Sequence, residues 1–326
     1  MSDPVFGTHR RTFITVALAS AAWPWAQAQM PKTIRLIVPF PPGGSTDILA
    51  RAIAPKLALA LGATVVVDNR GGAGGSIGAG EAAKAAPDGS VLLMGHIGTL
   101  AVNPSIYPRL SYDPVKSFTP VAWVARVPNV LVVGADSPIQ NFKQLIDAAR
   151  ARPGGLTHSS GGNGSAAHIT FEYLKQKTKT FMLHIPYRGT GPSVVDVIGG
   201  RVDATFTGSP AVIPHIKDGR LRALAVSSPQ RLPSLPDVPT VAESGYTGFE
   251  ADQWYGIVAP AGMSPALVSL LNTEINKALA LPDVAQQLAT EGATPTPTTP
   301  KAFGELIVRE IPRWAEVVRI SNMKAP

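Results

Sequence analysis

The stretch Thr33-Ile34-Arg35-Leu36-Ile37-Val38-Pro39-Phe40-Pro41-Pro42-Gly43-Gly44-Ser45-Thr46-Asp47 decides the fold. Its first eight residues are almost continuously apolar, the pattern of a strand buried on both faces of a parallel sheet. Pro41-Pro42-Gly43-Gly44 is a turn. From Thr46 onward the spacing becomes helical: Leu49, Ile53, Leu57 and Leu61 recur every four residues, and Gly62 supplies a stop. The alternation continues with a strand at 64–68, a glycine loop at 69–75, a helix at 76–86 and a strand at 90–95. Strand and helix in alternation predict parallel pairing and an α/β sandwich.

Downstream, strands are expected at 121–125 and 129–134. A second unit follows, with helices at 142–152, 165–177, 192–198 and 210–217, and strands at 156–160, 184–187, 202–207 and 221–227. Residues 229–248 are rich in Pro and Gly and read as a crossover. A strand at 254–259 and amphipathic helices at 265–281 and 302–320, the latter kinked at Pro312, then return to the first unit. The expected organisation is two α/β lobes with a cleft between them. Lobe 1 is discontinuous, 29–128 plus 250–326, and lobe 2 is 129–249. Clefts between domains are favoured ligand sites.

The first 28 residues read as an address. Arg10-Arg11 precedes a short apolar run, and Ala26-Gln27-Ala28 is a small-x-small cleavage site. Arg10-Arg11-Thr12-Phe13 also fits a twin-arginine signal, with ordinary secretory export as the alternative. The expected location is outside the cytoplasm. Zero Cys excludes disulfides, thiolate metal sites and Cys nucleophiles. The net charge is +7, but no basic stripe with interleaved aromatics accompanies it, so no nucleic-acid partner is expected.

The informative feature occurs twice. Phe40-Pro41-Pro42-Gly43-Gly44-Ser45-Thr46-Asp47 and Ser160-Gly161-Gly162-Asn163-Gly164-Ser165-Ala166-Ala167-His168 are each a strand end, a glycine turn and a helix start with hydroxyl residues. A helix start leaves backbone N–H groups free and carries about half a positive charge. Glycines let a ligand approach the backbone. Such a site takes carboxylate or phosphate without Arg or Lys, and two facing one cleft would suit a dianion. Each copy alone reads first as an ordinary turn plus N-cap, and it is the pair that points to a ligand. Gly71–Gly78 lacks both the dinucleotide and the P-loop spacing and reads as a tight loop near the cleft. No Gly-x-Ser-x-Gly elbow and no metal-type His spacing occur, so no catalytic residue, metal or cofactor is expected. His168 reads as a cap or cleft-lining residue. Arg188, in Tyr187-Arg188-Gly189-Thr190-Gly191, is either a carboxylate clamp or a surface residue. Side-chain specificity is expected from His96, Thr99, Tyr187 or Trp254.

In series, these segments resemble the Bug-type periplasmic receptors, the solute-binding proteins of tripartite tricarboxylate transporters. The likeness runs through Pro87-Asp88-Gly89, Ile185–Pro192, Leu221–Ala225, Pro236–Gly245 and Trp254-Tyr255-Gly256, over nearly all of the chain after the leader. It implies a type II periplasmic-binding-protein fold with a hinge. It also implies a small organic di- or tricarboxylate or aromatic acid as ligand, a membrane permease as partner, a monomer and a periplasmic location. The family's carboxylate-holding turns carry over to Phe40, Gly43, Gly44, Ser45, Thr46 and Asp47, and to Asn163, Gly164, Ser165 and His168, with Thr99 and Tyr187 beside them. Many members have Ala where Pro41 stands and Asp near Thr207. Asp47 would repel an anion, so it is expected to order the loop. The other readings kept open are a sensor that presents the acid to a membrane signalling partner, and an exported hydrolase.

Overall fold

The computed structural model describes residues 1–2 and 30–324; the expected export signal falls almost wholly outside them. The first part of the chain forms β1 (Thr33–Val38), α1 (Ser45–Leu61), β2 (Thr64–Asn69), α2 (Ser76–Ala83), β3 (Val91–His96), α3 (Asn103–Ile106) and β4 (Phe118–Val127). A second part forms β5 (Asn129–Gly134), α4 (Phe142–Ala151), β6 (Thr157–Ser160), α5 (Ala166–Thr178), β7 (Leu183–Pro186), α6 (Thr190–Ile198), β8 (Ala204–Gly208), α7 (Ile213–Lys217) and β9 (Leu221–Val226). The chain then returns as β10 (Gln253–Pro260), α8 (Pro265–Ala280), α9 (Pro282–Thr290), β11 (Thr294–Pro295) and α10 (Pro300–Ile320).

Two sheets result, ordered β11-β4-β10-β3-β1-β2 and β7-β6-β8-β5-β9. The pairing is mixed rather than all parallel. β1 is parallel to β2 and β3, and β6 to β7 and β8, but β10 runs antiparallel to β3 and β4, and β5 antiparallel to β8 and β9. Apart from the two-residue β11 at the edge, which is also antiparallel to β4, the antiparallel strand in each sheet is the one that has just crossed from the other lobe. It starts at the hinge and runs outward, whereas its neighbours run toward the hinge. The carboxyl ends of β1, β3, β6 and β8 therefore all face the cleft, where open α/β sheets bind ligands.

Burial explains the layers. In β1, Ile34, Leu36 and Val38 pack with Leu49, Ile53 and Leu57 of α1, while Ile37 packs on the opposite face with Ala79 and Ala82 of α2. This is the period-two alternation of a strand covered on both sides. α10 continues unbroken through Pro312. The missing N–H falls on an exposed turn, with Val308 55% exposed, where water can serve the freed carbonyl. α9 and the turn at 98–106 were not expected from the sequence.

The crossings Val127-Pro128-Asn129 and 227–252 lie side by side. Asn129 is fully buried. Its side-chain amide donates to the Ala251 carbonyl at 2.6 Å and to Thr170 Oγ1 at 3.0 Å. It also accepts from Gln253 Nε2, and its backbone N–H donates to Ser227 Oγ at 2.7 Å. Replacing Asn129 by Ala strands the Ala251 carbonyl and the Gln253 amide without partners, at about 1–3 kcal/mol for each buried group left unpaired. Urea unfolding should show Asn129→Ala destabilised by at least about 1 kcal/mol. An unchanged midpoint would remove the clasp.

Candidate functional site

The lobes meet across the cleft. Tyr107 donates its hydroxyl to the Asn163 carbonyl at 3.0 Å. Pro41 lies against Gly189, and Gly44 against Thr190. Two glycines permit the approach. Gly74 has φ +61°, and a Cβ there would overlap the Asn163 carbonyl oxygen. A Cβ on Gly98 would lie 2.8 Å from the Gly164 carbonyl oxygen.

A cavity of about 270 Å³ lies between the lobes. Phe40, Pro41, the Gly72–Gly75 loop and Tyr107 line it from lobe 1, and Gly161–Asn163 and Pro186–Gly189 from lobe 2. Of the residues expected from the sequence, Phe40, Asn163 and Tyr187 are on its wall. Phe40 is held by the His96 ring, 4.7 Å between centroids. The Tyr187 hydroxyl, however, donates to Asp196 at 2.5 Å, so its polar end is already committed.

α1 starts on Gly44, whose side-chain-free N-cap leaves the first turn open. Among the described residues, the amides of Ser45 and Thr46 find no acceptor. Asp47, 4% exposed, is turned back into its own loop. It accepts from the Gly43 amide at 3.1 Å, Arg51 at 3.0 Å and Asn69 at 3.0 Å. Burial works to raise its pKa, but the Arg51, Gly43 and Asn69 hydrogen bonds outweigh it and hold the carboxyl below its ordinary value. The charge that would oppose an anion is thus spent on positioning the turn.

The hydroxyls expected to hold ligand are placed differently. Ser45 and Thr46 are buried, and the Tyr255 phenol of β10 sits against them. Ser45 Oγ lies 2.5 Å from where a Cβ on Gly208 would be, so it fills the lobe interface rather than the cavity wall. Thr99 is fully buried, its Oγ1 bonded to the His96 backbone at 3.1 Å. In lobe 2, Ser165 caps α5 by accepting from the His168 amide at 3.4 Å. The Gly164 amide donates to His168 Nδ1 at 3.3 Å. His168 belongs to a stack with His184 at 3.8 Å, followed by His158 and Phe171. Burial, with neighbouring positive charge, lowers His168 to about 2 and His184 to about 3, so both are neutral. Glu172 lies 3.6–3.7 Å from His158 and His168, too far for a hydrogen bond, and Lys175 at 2.6 Å already neutralises it. Trp254 is also off the cavity: it is 3% exposed and donates to Glu310.

Among the described residues no serine paired with a histidine lines the cavity. Ser160 and His184 are 2.7 Å apart, but Ser160 is fully buried under its own glycine turn. Among the described residues no group of three or more His, Asp or Glu is arranged to hold a metal ion. The sequence reading missed Tyr107, Pro186 and Gly189 on the cavity wall. Tyr107 sits between Pro104 and Pro108 in a stretch with no periodicity to draw notice.

Because the folded Asp47 carboxyl titrates below its unfolded value, its contribution is present above the unfolded pKa and is lost as pH falls through the carboxylate range. Asp47→Asn should cost about 1–2 kcal/mol at pH 7, with the gap to the wild type closing below about pH 4. Melting curves across that range check it; a pH-independent gap contradicts the loop-ordering role.

The family model described as "Tripartite tricarboxylate transporter family receptor" matches residues 49–323. Protein BugT of Bordetella pertussis is 43% identical over 313 residues, covering 95% of this chain and 96% of that protein. Among solved structures, an R. palustris protein with adipate is 36% identical at TM-score 0.87, covering 90% of this chain and 98% of that one. MatC from Rhodopseudomonas palustris with bound malate is 33% identical at TM-score 0.84, covering 88% and 98%. These neighbours share the two-lobed periplasmic-binding-protein fold. The family is one of solute-binding receptors and not of enzymes, which sets aside the hydrolase reading. The chain belongs to the tripartite tricarboxylate transporter receptor family.

Proposed function

We propose that this chain is an exported receptor that captures a small organic carboxylate between its lobes and delivers it to the permease of a tripartite tricarboxylate transporter. The observation that carries the reading is the cavity itself: the turns that lead into helices wall it from both lobes, Phe40-Pro41 ahead of α1 and Gly72–Gly75 ahead of α2 in one, Gly161–Asn163 ahead of α5 in the other. A carboxylate there meets free helix-start amides and two positive helix ends. About four to six charge-assisted hydrogen bonds at about 1.5–3 kcal/mol each, less the cost of ordering and closure, leave roughly 8 kcal/mol, which is micromolar affinity.

The moving bodies are residues 29–128 with 250–326, and residues 129–249, hinged at the Asn129 clasp. A ligand bonded to both stabilises the closed state over the open one. The receptor then acts as a monomer in the periplasm, and the closed surface is what the permease reads. Adipate and malate in the solved relatives support the ligand class. No helix among the described residues is long and apolar enough to cross a membrane, which is compatible with a freely diffusing carrier.

The test is native mass spectrometry of residues 29–326, purified without refolding, followed by a thermal-shift screen of mono-, di- and tricarboxylates and aromatic acids. The expected result is a co-purified organic acid, or a shift of several degrees with one class of acid. No bound mass and no shift with any acid would overturn the reading.

A further inference from the structure

We propose that Arg188 binds a second carboxylate, so that the cavity selects an α,ω-dicarboxylate over the monoacid of the same chain length. The proposal rests on the receptor reading and adds the residue that sets the ligand's second charge.

Of the residues lining the cavity, Arg188 alone carries a formal charge. It sits in the Pro186–Gly189 segment between β7 and α6, which closes over Pro41. Several other arginines are committed: Arg35 to Asp68 and Glu81, Arg51 to Asp47, Arg126 to Asp252 and Glu250, Arg201 to Asp196. Arg109, Arg152 and Arg309 are off the cavity wall. The exposed Arg188 guanidinium has no hydrogen bond or ion pair among the described residues. The nearest candidate acid in sequence, Asp196, is already held by Arg201 and by the Tyr187 hydroxyl, so it does not neutralise Arg188.

The two ends of the site therefore differ in kind. The glycine turns offer neutral backbone donors to one carboxylate. The 186–189 segment offers a planar fork of donors with a full positive charge, matched to a second carboxylate in two parallel hydrogen bonds. A monoacid satisfies only the first end and leaves an alkyl terminus beside the guanidinium.

The experiment is isothermal titration calorimetry of the protein with two matched pairs, adipate against hexanoate and succinate against butyrate. It compares the wild type with Arg188→Gln and Arg188→Lys. In whichever pair binds, the wild type should favour the diacid by about tenfold or more, the worth of one charge-assisted contact. Arg188→Gln should bring the ratio close to one by weakening the diacid alone, leaving the monoacid unchanged. Arg188→Lys, which keeps the charge but not the fork, should fall between. Equal wild-type affinity for diacid and monoacid, a ratio that survives Arg188→Gln, or equal weakening of both acids overturns the role of Arg188 while the receptor reading stands. Binding of neither pair, together with silence in the wider acid screen, removes both.

Discussion

The chain passes between its lobes twice, and both passages run through one buried hydrogen-bond cluster centred on Asn129. That constraint fixes the direction of every strand around it. β5 must leave the hinge outward, and so must β10. Their neighbours are forced to run toward the hinge. The loops that follow β1, β3, β6 and β8 therefore collect at one place, and the helices α1 and α5 begin there. The ligand cleft is a consequence of the crossing and not an addition to the sheets.

Closure depends on how near two backbones can come. Gly74 and Gly98 remove side-chain volume where lobe 1 meets Asn163 and Gly164, and Tyr107 bonds across the gap. A binding surface made mainly of backbone reads charge and length well. It reads little else, because every amino acid supplies the same N–H. The side chains around it serve chiefly as support: Asp47 orders one turn, and Ser165 with the stacked imidazole of His168 orders the other. Arg188 is the exception on the wall.

What was legible in the sequence was local. The run from Thr33 to Leu61 shows its strand, its turn and its helix through period and stop signals alone, and the structure places β1 and α1 there. The antiparallel placement of β5 and β10 was not legible, since strand direction depends on which lobe the chain comes from. Side-chain direction was not legible either. Ser45 and Thr46 look like ligand donors in sequence, but β10 brings Tyr255 beneath them and they turn inward. Tyr187 looks free, yet Asp196, nine residues on, takes its hydroxyl. The resemblance to the Bug receptors named the fold and the family to which the chain belongs. Which groups face the cavity required three dimensions.

In the proposed bound state a ligand carboxylate bridges the turns that lead into α1 and α5, between the lobes. A crystal structure of the protein with adipate is the decisive measurement. Carboxylate oxygens should lie within about 3 Å of backbone amides in the first turn of α1 and in the turn before α5. Adipate seated elsewhere, with that cavity filled only by water, would overturn this binding mode.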